Sequence, residues 1–140
     1  MAEETVHEGG CLCGEVRYRL EGAPKWVAIC HCTMCRRAGG APAVAWLTLS
    51  LDRFAFTKGE AASYRSSDHG RRAFCPRCGG QLTYWSSRAP GDIDVTLGSL
   101  DRPETFRPSH HVFVSSRLPW LHLKEELPEY PGFTPRDPGD

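Results

Sequence analysis

The sequence predicts a single, mainly β domain with little helix, tied together through its loops. Three observations carry that expectation. Apolar residues recur at every second position in short segments, not at helical spacing. Gly, Pro and Asp interrupt those segments closely enough to keep the strands short. Seven cysteines fall as two spaced pairs and one triplet, outside the alternating segments.

The elements follow in order. Val16, Tyr18 and Leu20 alternate with Glu15, Arg17 and Arg19, the pattern of a half-buried strand. Trp26–Ile29 reads as a second strand that delivers the chain into Cys30-His-Cys-Thr-Met-Cys35. Cys32 to Ala38 can form a helical turn, which Gly39-Gly40 ends. Ala43–Leu49 is a β-leaning run. Phe54 and Phe56 alternate with Ala55 and Thr57, Leu82–Trp85 is rich in β-formers, Ile93, Val95 and Leu97 alternate again, and Val112–Val114 is a last apolar run. A short helix is expected over Leu121–Leu127, stopped by Pro128. The domain is accordingly set at residues 1–127, with an irregular C-terminal tail over 128–140. No internal repeat and no linker is visible.

At 140 residues and 40% hydrophobic content the chain can bury one core. Lys plus Arg and Asp plus Glu each number 17, so there is none of the basic excess that marks a nucleic-acid binder. The start, Met1 to Gly10, is polar and acidic and unlike a secretory signal. No apolar run approaches the roughly 20 residues that span a bilayer. A cytoplasmic location is the expectation. Thiols stay reduced there, so clustered cysteines point to metal or redox chemistry.

Seven divides as four plus three. Cys11, Cys13, Cys75 and Cys78 are two pairs from distant loops, able to close a tetrahedral metal site and join two parts of the fold. Cys30, Cys32 and Cys35 can grip a metal on three sides and leave a fourth position open. In an extended segment Cys30 and Cys32 share one side and His31 takes the other, so His31 is a neighbour, not a ligand. Spacing leaves two alternatives open: an iron–sulfur cluster in place of zinc, and a histidine such as His7 or His69 completing the triplet into a second structural site.

Several motifs taken together resemble one family. They are Gly9-Gly-Cys-Leu-Cys-Gly-Glu-Val16, Cys30-His-Cys-Thr-Met-Cys-Arg36 with Gly39 behind it, Phe74-Cys-Pro-Arg-Cys-Gly79, Leu97-Gly-Ser-Leu-Asp101, and His111-Val-Phe113 followed by Trp120. Over most of its length the chain resembles the glutathione-dependent formaldehyde-activating enzymes, the family that includes the centromere protein V domain. The resemblance implies the Mss4-like fold, antiparallel sheets stapled by zinc. It implies a structural zinc on Cys11, Cys13, Cys75 and Cys78, and a catalytic zinc on Cys30, Cys32 and Cys35, two Zn2+ per chain. It further implies carbon–sulfur lyase chemistry, forming or cleaving an S-hydroxymethyl adduct of glutathione or a similar thiol with formaldehyde or a related aldehyde. The competing reading is a non-catalytic, zinc-stabilised protein-interaction module of the same fold.

Other candidates are placed around the triplet. Arg36 and Arg37 follow it, and Arg71, Arg72 and Arg77 flank the second pair; any of them could offset thiolate charge, and Arg36 and Arg37 could hold the carboxylates of the thiol. His31 and His111 are the candidate general acid or base. Trp46 and Trp85 are expected in the core, while Trp120, within a matched motif, is a candidate substrate contact.

Overall fold

The computed structural model describes residues 5–123 and 125–136. The chain is mainly β. Among the described residues ten strands are formed: β1 (Val6–Gly10), β2 (Arg17–Glu21), β3 (Trp26–Cys30), β4 (Val44–Ser50), β5 (Phe54–Lys58), β6 (Ala62–Arg65), β7 (Gly70–Phe74), β8 (Gln81–Ser86), β9 (Asp92–Thr96) and β10 (His110–Val112). One α-helix among these residues, α1 (Thr33–Gly39), lies between β3 and β4. Seven strands cover the segments expected from alternation, with ends shifted by a residue or two. The Val112–Val114 run is the largest shift. Its strand ends at Val112, because Phe113 takes the left-handed conformation (φ 55°) and Val114–Ser116 coil into a 3-10 turn. The strands β1, β6 and β7 had no apolar alternation to announce them: VHEGG, ASYR and GRRAF are polar or glycine-rich. The helix expected over Leu121–Leu127 is not formed at the described residues of that stretch.

The strands make two sheets. A small antiparallel sheet has the order β1-β2-β5, and a seven-stranded sheet has the order β10-β3-β4-β9-β8-β7-β6. Pairing is antiparallel throughout except at one edge, where β10 runs parallel to β3. The main core includes Val16, Tyr18 and Leu20 with Leu47 and Leu49 of β4 and Ile93 and Val95 of β9, all buried. Each such side chain contributes about 1.5–3 kcal/mol by leaving water. These residues use one side of β4 and β9, which leaves the opposite side of the large sheet free to carry a second, smaller cluster: Ala28, Cys30, Cys35, Trp46 and Val112. The cysteine triplet belongs to this second cluster. Cys11 and Cys75 belong to the first.

Gly59 shows how closely the small sheet is packed at one end. Its φ is +71°, and a Cβ there would run into the backbone carbonyl of Glu15, so only glycine fits the end of β5 against the turn before β2. No helix among the described residues is long and apolar enough to cross a membrane.

Candidate functional site

Cys11 and Cys13 lie in the turn after β1, and Cys75 and Cys78 in the turn between β7 and β8. Both turns are closed by backbone hydrogen bonds, Cys11 N to Val16 O (3.1 Å) in one and Cys75 N to Gly80 O (3.0 Å) in the other. The four sulfurs all lie within 4.8 Å of one another and could hold a metal ion. The fit can be tested by distance. Sulfurs about 2.3 Å from a tetrahedral centre stand about 3.8 Å apart. Cys11 and Cys13 Sγ are 3.7 Å apart, and Cys13 and Cys75 Sγ are 3.8 Å apart. Backbone N–H groups favour the thiolate form: Val16 N donates to Cys11 Sγ (3.3 Å), and Arg77 N and Cys78 N donate to Cys75 Sγ (3.4 and 3.5 Å). At Cys11, burial pushes the thiol pKa up, but the Val16 N–H and the neighbouring thiols outweigh it and hold it down at about 6.

The triplet is assembled by one strand end and one helix start. Cys30 ends β3, Cys32 is the N-cap of α1, and Cys35 lies in its first turn. As N-cap, Cys32 Sγ accepts from Cys35 N at 3.2 Å, which aims its sulfur at the helix start. Gly40 (φ 59°) closes the other end in the left-handed conformation. The three sulfurs again lie within 4.8 Å of one another. Among the described residues no fourth His, Cys, Asp or Glu ligand joins them. The histidines that could have closed the site are engaged elsewhere: His7 packs on Phe106, and His69 bonds Ser87 at 2.9 Å. The three thiols share their protons unequally. Hydrogen bonds from Cys30 and Cys35 hold Cys32 at about 2, while Cys30 is pushed up by its two neighbours and by burial.

One cation already stands against the triplet. Arg72, 4% exposed, comes from β7 and sets Nη1 and Nη2 at 3.8 and 3.7 Å from Cys35 Sγ. Its guanidinium also lies over the Tyr84 ring, 4.9 Å from the centroid. A buried guanidinium is costly unless compensated, and here the Cys35 sulfur, the face of Tyr84 and the nearby Asp94 carboxyl are the groups that face it.

The triplet opens into a cavity of about 180 Å³. Trp26, Trp46, Tyr84, Phe113 and Phe133 supply aromatic walls, and Thr48, Arg72, Asp94 and Arg136 the polar groups. Tyr84, Asp94 and Arg136 also line a larger space beyond it, of about 490 Å³. Much of the polar floor is one cross-strand row. Trp26 pairs with Thr48, Thr48 with Asp94, Asp94 with Tyr84, and Tyr84 with Arg72. The roof includes Phe133, Thr134 and Arg136 from the C-terminal segment. Arg136 is fixed by Asp92 at 2.9 Å and by stacking on Trp26.

The other candidates sit away from this cavity. His31 and His111 are buried and hydrogen-bonded, His31 Nε2 to His111 Nδ1 at 2.8 Å, on a separate hollow with Arg117 and Glu129. Burial lowers both their pKa values. Arg36 and Arg37 are on α1 but do not line the triplet cavity, and Trp120 is 66% exposed. Arg72 could be suspected from sequence only as one of several arginines near Cys75. Asp94 carried no sequence signal beyond its place as the polar residue between Ile93 and Val95.

A family model described as "Glutathione-dependent formaldehyde-activating enzyme" matches residues 6–116. A protein of Halomonas elongata, provisionally named for that activity, is 26% identical over 126 residues, a match covering 84% of this chain and 80% of that protein. A Rhodobacter sphaeroides protein of known crystal structure matches with a TM-score of 0.55 at 21% identity, covering 67% of this chain and 87% of the other, a likeness of fold.

Proposed function

The chain belongs to the glutathione-dependent formaldehyde-activating enzyme family, and on that basis we propose that it is a zinc-dependent carbon–sulfur lyase. It takes glutathione or a similar thiol and forms or cleaves an S-hydroxymethyl-type adduct with formaldehyde or a related aldehyde. One observation carries this reading: Cys30, Cys32 and Cys35 converge with no fourth protein ligand among the described residues, and they open onto a cavity. An interaction module has no use for a three-coordinate site facing inward.

In this reading each chain holds two Zn2+ ions. Cys11, Cys13, Cys75 and Cys78 hold a structural one, and their sulfur spacing supports a four-coordinate ion. Cys30, Cys32 and Cys35 hold the catalytic one, which when bound supplies Lewis acidity and keeps a coordinated thiol deprotonated at neutral pH. The rest of the chemistry falls to the chain. Three thiolates and a divalent ion total one negative charge, and an incoming thiolate adds a second. Arg72 beside Cys35 offsets that charge inside the cavity. Trp26, Trp46, Phe113 and Phe133 exclude water, which strengthens the electrostatics and keeps the aldehyde from hydrating in the site. The contiguous larger space accommodates the body of the thiol beyond its sulfur. A cytoplasmic setting, rich in reduced thiol, suits this chemistry.

The test is a calorimetric titration of zinc-loaded protein with glutathione, beside the Cys32→Ser variant, followed by NMR observation of the hydroxymethyl carbon on adding formaldehyde. Saturable binding by the wild type alone, with adduct formed faster than in buffer, is expected. No binding by fully zinc-loaded wild type would refute the open-site reading.

A further inference from the structure

We propose that Asp94 is the catalytic acid and base of this site: its carboxyl gives a proton to the adduct oxygen as the C–S bond forms, and takes it back as the bond breaks. The inference rests on the lyase reading and adds to it the proton-transfer residue. That reading needs one. When a thiolate sulfur adds to an aldehyde carbon, the C=O π pair moves to oxygen, and the resulting alkoxide needs a proton to become a neutral hydroxymethyl thioether. In the reverse direction the hydroxyl proton leaves, the C=O bond re-forms, and the C–S pair returns to sulfur. No oxidant or further reactant is required.

The geometry narrows the choice to Asp94. Among the described residues it is the one carboxylate lining the cavity onto which Cys30, Cys32 and Cys35 open. Of the buried histidines, otherwise suited to such work, His31 and His111 face the separate hollow with Arg117 and Glu129, and His110 does not line the cavity, its ring being held between Ser109 and Thr134. Arg72 is held to Cys35 and stacked on Tyr84, and an arginine does not give up its proton. Asp94 sits in the middle of the polar row, between Thr48 on β4 and Tyr84 on β8. The Thr48 hydroxyl donates to Asp94 Oδ1 and so fixes the carboxyl orientation. Asp92, one turn of the pleat away on the same strand, is occupied by Lys25 and Arg136.

The charge environment is consistent with a group poised for transfer. Burial pushes the Asp94 pKa up to about 6, against the lowering effect of Thr48, Arg136 and Arg72 and with a small raising effect from Asp92. The titratable groups around it are thus Arg72 from β7, Tyr84 from β8, Asp92 on its own strand, Arg136 from the C-terminal segment, and the three cysteines across the cavity. An acid with a pKa near the working pH is the efficient one, because both protonation states are populated during a cycle.

The experiment combines Asp94→Asn with Thr48→Val, each as zinc-loaded protein. Glutathione binding is read by calorimetry, adduct cleavage as a function of pH, and carboxyl titration by infrared difference spectroscopy. For wild type, cleavage should rise with pH through about 6, because the carboxylate is the base. Asp94→Asn should keep its glutathione affinity within a few-fold, lose about 100-fold or more in turnover, and lose that limb together with the titrating infrared band. Thr48→Val removes a hydrogen bond to the carboxylate, so it should move limb and band together to higher pH. Turnover of Asp94→Asn within threefold of wild type, a limb that persists without Asp94, or a Thr48→Val limb that does not follow the band would each overturn the assignment. Absence of glutathione binding in wild type would instead remove the lyase reading itself, and Asp94's role with it.

Discussion

Arg72 is the residue on which the electrostatics of the site turn. A buried guanidinium is tolerated on β7 because it faces Cys35 Sγ at 3.7–3.8 Å and the face of Tyr84. Removing its charge leaves thiolate charge uncompensated in a low-dielectric cavity. Arg72→Met is therefore expected to weaken glutathione binding about tenfold to a hundredfold, the worth of about 1.5–3 kcal/mol for a charge-assisted contact. Arg72→Lys should recover part of the loss, since it restores charge without the planar fork. Calorimetry of the zinc-loaded variants checks both; equal affinity in wild type and Arg72→Met would show that the arginine is only a packing residue. From sequence, Arg72 was indistinguishable from Arg71 beside it. Strand alternation separates them: Arg72 points into the sheet's cavity face, and Arg71 is exposed.

The strands and turns divide the work between the two cysteine groups. The four-sulfur group joins the turn after β1, in the small sheet, to the turn between β7 and β8, in the large one. Cys11 and Cys75 are also part of the main core. Cys75→Ser should accordingly destabilise the whole domain, lowering the thermal midpoint by about 10 °C or more, because structural metal binding is folding free energy. Cys32→Ser should leave that midpoint within a few degrees, since α1 keeps a capping hydroxyl; thermal scans on the two variants distinguish these expectations. At the other edge, β10 carries a pH dependence. Burial, reinforced by His111, lowers the pKa of His110, whose ring is held between Ser109 and Thr134. The unfolded chain then binds the proton more readily than the folded one. Its contribution is present above the unfolded value of about 6.5 and is lost as pH falls below it. His110→Gln should flatten the fall in stability between about pH 6.5 and the acid limb, measured by denaturant unfolding at several pH values.

For the molecule as a whole, the cavity is completed by chain from far apart in sequence. The walls come from β3, β4, β7, β8 and β9, and the roof from Phe133, Thr134 and Arg136. The C-terminal segment is anchored by Tyr130 N to His111 O (2.9 Å), Phe113 N to Gly132 O (2.9 Å), and Arg136 to Asp92. Deleting residues 129–140 should leave both sheets intact by circular dichroism while weakening glutathione binding at least tenfold, because the aromatic roof and Arg136 are gone; undiminished affinity would show that the roof plays no part. The β character of the chain was legible in local alternation at Val16, Tyr18 and Leu20, because side-chain direction along a strand repeats every two residues whatever the fold. So was the division of seven cysteines into four and three, because ligand spacing within a turn is a local property. The strands β6 and β7 were not legible, because edge and polar strands acquire their structure from partners and not from their own pattern. Nor were the cavity in front of the triplet, the pairing of Arg72 with Cys35 and the place of Asp94 on the cavity floor. Those depend on strand order and register, which bring β4, β9, β8 and β7 side by side, and no local stretch of sequence specifies which strands become neighbours.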